Sequence, residues 1–166
     1  METFGPIEHR LEPVGVVDGA EYFNDSKATN PDAVLKALTA FEDRPIIVLL
    51  GGRNKGNDFT VLAEAVSRRC RVAVLFGESL PELRAAFVAA GGDTVESSSM
   101  SDAVSAAREL ARPGDVVLLS PACASFDEFR SFEHRGDAFK QIAVRGVEAG
   151  DDEELAGRGN DAGAAG

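Results

Sequence analysis

The 166-residue sequence contains no tryptophan, a single tyrosine and only two cysteines. Without tryptophan, the core must be filled by phenylalanine and by the aliphatic residues. Cys70 and Cys123 stand far apart with no CxxC spacing. That excludes a cysteine-based metal site and argues against a disulfide framework, so a reducing, cytoplasmic compartment is expected. Long hydrophobic runs are also missing. Stretches such as Ile46 to Leu50 fall far short of the roughly 20 apolar residues that cross a bilayer, and the opening METFGPIEHR has no apolar signal core. Positive charge is scarce: 17 Lys and Arg face 28 Asp and Glu, for a net charge of −11. With no basic cluster, nucleic acid is not an expected partner, because its binding begins with phosphate neutralisation.

What remains is an ordinary globular composition, 44% hydrophobic and 27% charged, at a length that suits one domain with its own core. Much of the acidic excess sits at the end. Glu148, Asp151, Asp152, Glu153, Glu154 and Asp161 are opposed there by Arg158 alone, in a Gly- and Ala-rich stretch with almost nothing apolar to anchor it. The expected organisation is a linker remnant over residues 1–12, one domain over 13–146, and a disordered acidic tail over 147–166.

Within the domain, Pro13–Val17 and Glu21–Asn24 read as a hairpin around the Asp18-Gly19 turn pair. Thr29-Asn30-Pro31 reads as a helix start, followed by Ala33, Val34, Ala37, Leu38 and Phe41 at helical spacing. The chain then alternates. Strands are expected at Ile46–Leu50, Val72–Phe76, around Thr94-Val95 and at Val116–Leu119. Helices are expected around Phe59–Val66, Leu80–Val88, Ala103–Leu110 and Glu133–Val144. Strands rich in Val, Ile and Leu separated by helices predict an α/β fold: a Rossmann-like, mostly parallel sheet of about six strands, with helices on both faces and an antiparallel N-terminal hairpin.

In such sheets ligands bind beyond the carboxyl ends of the strands. Three segments there are unusual: NDSKATN at 24–30, GGRNKGNDF at 51–59 and SPACASFDEF at 120–129. In the first, Asp25, Lys27 and Thr29 precede a helix start, whose free N–H groups and partial positive charge suit an anion; the plainer reading is a helix cap on Thr29 or Asn30. In the second, Gly51 and Gly56 have the outer spacing of a phosphate-binding loop, but Asn57-Asp58 stands where Lys-Ser/Thr is required. Lys55 is then either a carboxylate or phosphate ligand or a solvated surface lysine. In the third, small residues let a backbone approach a ligand, Ser125 offers a hydroxyl, and Phe126, Phe129 and Phe132 suit a core or a pocket wall. Cys123 reads as packing, since neither histidine is placed to activate it. The residues alone thus predict an anion-binding crevice for a small acid, with no complete catalytic set.

The ordered set NDSKATNP, GG-x-x-K-x-x-DF and SPACAS-x-D-x-F-x-x-F-x-x-RG resembles the D-glutamate-adding ligases of the Mur ligase family, specifically their C-terminal domain. EHRLE at 8–12 resembles the family's H-R-x-E at the joint with the central domain. The likeness runs from about Phe4 to Val144. It implies an ADP-forming ligase of peptidoglycan biosynthesis, in which ATP phosphorylates the alanyl carboxylate of UDP-N-acetylmuramoyl-L-alanine and the D-glutamate amine attacks the acyl phosphate. By the same resemblance Arg10 and Asp25 hold the ATP ribose, and Lys27 is the catalytic lysine near the phosphates. Thr29, Lys55 and Ser125 bind the D-glutamate carboxylates, Phe132 helps through its backbone, and Phe126 lies beside that pocket.

The family's G-T-x-G-K-[ST] loop and carbamylated lysine belong to the central domain and do not occur in this sequence. ATP is therefore an expected shared ligand, Mg2+ is expected to be held by the central domain, and no metal site is expected here. The expected partners are D-glutamate, ATP, the nucleotide precursor and the central ATPase domain, without nucleic acid or membrane. An alternative is a non-catalytic amino-acid-binding module that kept the pocket.

Overall fold

The computed structural model of the chain describes residues 7–143. The expected acidic tail and half of the expected linker remnant fall outside them, as does Val144 at the end of the last expected helix.

The hairpin forms as read, from β1 (Glu12–Val17) and β2 (Ala20–Asn24), with Asp18 and Gly19 both at positive φ, as a tight two-residue turn requires. Then come α1 (Pro31–Leu38) with a 3-10 turn at Thr39–Phe41, β3 (Ile46–Gly51), α2 (Thr60–Arg69), β4 (Val72–Phe76), α3 (Leu80–Ala90), β5 (Thr94–Glu96), α4 (Met100–Leu110) and β6 (Val116–Ala122). Residues 132–143 are helical and are termed α5.

Six strands form one sheet in the order β1-β2-β6-β3-β4-β5, with β1 antiparallel to β2 and the remaining pairs parallel. Side chains that alternate along a strand meet opposite faces. Ile46, Val48, Leu50, Val116 and Leu118 accordingly pack with Val34, Leu62, Leu83 and Phe87 of α1, α2 and α3. Ile47, Leu49, Val117 and Leu119 pack with Met100, Val104, Ala107 and Phe139 of α4 and α5. Burying each such large side chain stabilises the fold by about 1.5–3 kcal/mol relative to exposure, which makes β3 and β6, covered on both faces, the spine of the domain.

Of the boundaries that differ from the expected ones, two have a clear local reason. α4 starts at Met100 rather than Ala103 because the Ser99 hydroxyl caps it, accepting the Asp102 N–H at 3.2 Å. β6 runs past Leu119 through Pro121 to Ala122. Proline survives in this central strand because the β3–β6 register shifts between Leu49 and Gly51, so its missing N–H falls at a bulge.

Candidate functional site

The carboxyl ends of β2, β3, β4 and β6 are stitched together by backbone. The Ala122 N–H donates to the Ala28 carbonyl at 2.9 Å, tying the β6 end to the 24–30 segment. Arg53 and Ala124 exchange two N–H···O bonds of 2.8 and 3.0 Å, tying the Lys55 loop to the Ser125 loop. The Ser79 N–H donates to the Gly52 carbonyl at 2.9 Å, and the Glu78 N–H to the Asp127 carboxylate at 3.0 Å. This close approach explains Gly51-Gly52. A Cβ at Gly51 would collide with the Phe76 carbonyl, and one at Gly52, where φ is +130°, with the Ala124 carbonyl. Ala122 also sits at a φ of +67°, a strained conformation of the kind that clusters at binding sites.

Two cavities result. The first, of about 200 Å³, is lined by Thr29, Lys55, Ala124, Ser125, Phe126 and Phe132. The helix cap is Asn30, whose side chain accepts the Ala33 N–H at 2.9 Å, so Thr29 is not committed to capping. Lys55 is exposed and rests its ammonium 5.0 Å from the centre of the Phe126 ring, a cation–π contact. Its loop is held by Asn54, which accepts the Asn57 N–H at 2.9 Å and donates to the Asn57 carbonyl at 2.9 Å. Ser125 is 1% exposed, and its hydroxyl has no partner among the described residues. A buried hydroxyl without a partner calls for a water or a ligand.

The second cavity, of about 190 Å³, is lined by Arg10, Leu11, Asp25, Lys27, Ala28, Ala33, Lys36 and Ala37. Arg10 reaches it from a sharp bend in which His9 and Leu11 both take positive φ. The bend is pinned by the His9 N–H to Glu12 at 3.1 Å, the Leu11 N–H to Asp25 at 3.0 Å and the Lys27 N–H to the His9 carbonyl at 3.0 Å. Three cations among the lining residues suit a polyphosphate. The 24–30 segment serves both cavities, Lys27 facing one and Thr29 the other. All eight residues expected to form the site thus line one or other of two cavities at the same edge of the sheet.

The one cluster of three candidate metal-ligand side chains among the described residues does not suit magnesium. It consists of Glu8, His9 and Asp137. Asn24 directs its amide nitrogen at His9 Nδ1 (2.9 Å) while its oxygen accepts the Ser26 N–H, so in the neutral ring the proton lies on Nε2, the nitrogen facing the carboxylates. Nε2 then has no lone pair for a metal, Lys140 already occupies Glu8 at 3.0 Å, and magnesium prefers oxygen donors.

The chain matches the Mur ligase, glutamate ligase domain profile over residues 9–123. It is 48% identical over 145 residues to the UDP-N-acetylmuramoylalanine--D-glutamate ligase of Pelotomaculum thermopropionicum, covering 87% of this chain and 32% of that protein. It is 46% identical over 142 residues to the same-named ligase of Chlamydia caviae, covering 86% of this chain and 33% of that protein. This chain belongs to the Mur ligase family. It spans about a third of the length of the relatives it matches. In fold, this Mur ligase domain resembles the murein peptide ligase Mpl of Psychrobacter arcticus, with a TM-score of 0.66 and 19% identity over 87% of this chain and 31% of that one. It also resembles the MurF ligase of Thermotoga maritima, solved in complex with ADP, with a TM-score of 0.59 and 15% identity over 88% of this chain and 33% of that one.

Sequence reading did not single out several residues that organise this Mur ligase site. Arg135 is 1% exposed and donates to the Ser26 hydroxyl (2.9 Å), the Ser26 carbonyl (2.8 Å) and the Cys123 carbonyl (2.9 Å). Burial lowers its pKa to about 10. Ser26, His9 and Lys36 were likewise passed over. The only signal for Arg135 was its place in the RG of the third motif. Cys123 is packing as read: burial pushes its thiol up to about 11, and the Cys70 thiol up to about 12.

Asp25 is 4% exposed, and burial raises its pKa from 3.8 to about 6, against the opposing pull of the Ser120 hydroxyl (2.8 Å), the Leu11 N–H and Arg10. The folded chain therefore holds this proton up to about pH 6, whereas the unfolded chain releases it near 3.8. Between those values the folded state binds more protons, so the Asp25 contribution to stability falls as pH rises. Asp25→Asn removes this decline, so its melting temperature relative to wild type should rise between pH 4 and pH 6; a wild-type-to-variant difference that does not change with pH would contradict the assignment.

Proposed function

We infer that this domain supplies the amino-acid pocket and one wall of the ATP site in an ADP-forming ligase that adds D-glutamate to UDP-N-acetylmuramoyl-L-alanine. The observation that carries the reading is the first cavity, which gathers one cation, two hydroxyl-bearing residues and two phenylalanines from three sequence segments. A small dicarboxylic acid matches that set. Lys55 supplies charge for one carboxylate, while Ser125 and Thr29 donate hydrogen bonds. Phe126 and Phe132 line the cavity, Phe126 at its exposed rim, and holding both carboxylates fixes where the amine points.

ATP, when bound, supplies the phosphoryl group that activates the acceptor carboxylate. Here Arg10, Lys27 and Lys36 would attract its phosphates, and Asp25 retains acceptor capacity for a ribose hydroxyl. Lys27 is the proposed catalytic lysine, because its segment joins the phosphate-facing cavity to the amino-acid cavity. The phosphate loop, the Mg2+ and the nucleotide precursor belong in this reading to the central and nucleotide-binding domains, so the chain by itself should not turn over. Its partners are then that central domain, ATP, D-glutamate and the precursor. Two unpaired cysteines agree with a cytoplasmic setting, and no helix among the described residues is long and apolar enough to cross a membrane.

The test is a nitrogen-15 NMR titration of this chain. D-glutamate at millimolar concentration should shift the Thr29, Lys55, Ser125 and Phe132 amides, and ATP should shift those of Arg10, Lys27 and Lys36. L-glutamate should leave the first set in place. Equal responses to the two glutamate isomers, or none to either, would refute the pocket assignment.

A further inference from the structure

Among the described residues no carboxylate lies within salt-bridge distance of Arg135, which is unusual for a guanidinium that is 1% exposed. A buried charge is weak evidence of a stabilising role, since apolar residues of similar volume often serve as well. What a guanidinium adds is geometry: a planar fork of N–H groups with fixed directions.

Each bond from Arg135 ends on a segment that builds the first cavity. Nη2 reaches the Ser26 carbonyl, three residues before Thr29, and Nη1 reaches the Cys123 carbonyl, two residues before Ser125. Nε reaches the Ser26 hydroxyl, which donates onward to the Phe132 carbonyl at 2.7 Å. Ser26 is itself 0% exposed, and its hydroxyl has one proton, so accepting from Arg135 commits that proton to Phe132. The Arg135–Ser26 bond spans 109 residues of sequence, and the segments carrying Thr29, Ser125 and Phe132 are tied through this one side chain. Lys55 joins them through the Arg53–Ala124 backbone pair.

Resting on the amino-acid-pocket reading above, we propose that Arg135, acting through the Ser26 hydroxyl, is a positioning residue that sets the spacing of the carboxylate-binding groups in the first cavity. The second cavity shares the 24–30 segment through Asp25 and Lys27, which flank Ser26, but bonds other than those of Arg135 hold them. The Leu11 N–H and the Ser120 hydroxyl donate to Asp25, and the Lys27 N–H donates to the His9 carbonyl, while Arg10 and Lys36 stand on the joint bend and on α1. The proposal therefore predicts a split: amino-acid binding should depend on the tie and nucleotide binding should not.

Ser26→Ala tests it with little risk to folding, since it removes the relay and leaves two of the Arg135 bonds in place. Its NMR-detected Kd for D-glutamate should rise about tenfold over wild type, while the Kd for ATP stays within twofold. Ser26→Thr, which keeps a hydroxyl, should recover part of the loss. Equal D-glutamate affinity in wild type and Ser26→Ala would overturn the proposal and leave the pocket reading standing. A matching rise in both Kd values would also overturn it, by showing general loosening. If the wild-type chain showed no response to D-glutamate, the pocket reading and this proposal would fall together.

Discussion

Arg135→Ala is expected to lower the melting temperature by about 10 °C. The guanidinium is the partner of two buried backbone carbonyls and one buried hydroxyl. Truncation leaves the Ser26 and Cys123 carbonyls without their donor, at about 1–3 kcal/mol for each unsatisfied group. Relief of the guanidinium's own desolvation returns part of this, giving a net loss of about 2–3 kcal/mol at roughly 4 °C per kcal/mol for a domain of this size. Arg135→Lys keeps the charge but cannot reproduce the fork, so it should recover less than half. The check is calorimetric unfolding of the three proteins side by side. A melting temperature for Arg135→Ala within about 3 °C of wild type would show that water replaces the fork without cost.

The second large effect concerns binding. In a full-length ligase carrying this domain, Lys55→Ala should raise the apparent KM for D-glutamate about 50- to 100-fold, because a charge-assisted hydrogen bond to a carboxylate contributes roughly 2–3 kcal/mol. The KM for ATP should change by less than about threefold, since Lys55 lines the first cavity and not the second. Lys55→Arg should be intermediate, as the charge is kept while its position shifts. Steady-state kinetics with each substrate varied in turn decide the matter. A parallel rise in both constants would assign Lys55 to the phosphates or to domain closure.

The strands were legible because nearly continuous runs such as Ile46–Leu50 and Val116–Leu119 are what a sheet covered on both faces requires. Strand order was not legible. The last strand in sequence, β6, inserts between β2 and β3, a long-range pairing on which local periodicity is silent. The start of α4 was obscured by a serine run, Ser97–Ser99, in which each residue is a competent cap. Pro121 hid the extension of β6 because proline normally ends a central strand, and the bulge that admits it shows only in the β3 register.

For the site, the single residues with binding chemistry stood out against small or polar neighbours: Lys27, Thr29, Lys55 and Ser125. The residues that hold them did not. Arg135 and Ser26 are common types at ordinary positions, and their pairing spans 109 residues. His9 and Asn24 are similarly mute until the bend at Arg10 brings Nδ1 and Nδ2 within 2.9 Å. Motifs carry the groups that face a ligand, whereas the supporting contacts are a property of topology.

The central claim is that this chain is the amino-acid-binding part of a shared site and not a complete catalyst. It is tested most directly by ADP release, with precursor, D-glutamate, ATP and magnesium present, from this chain alone and from this chain mixed with a separately produced fragment holding the other two-thirds of a relative. No ADP from the chain alone, and D-glutamate-dependent ADP from the mixture that needs far more D-glutamate with Lys55→Ala, is the predicted result; ADP formation by the chain alone would contradict it.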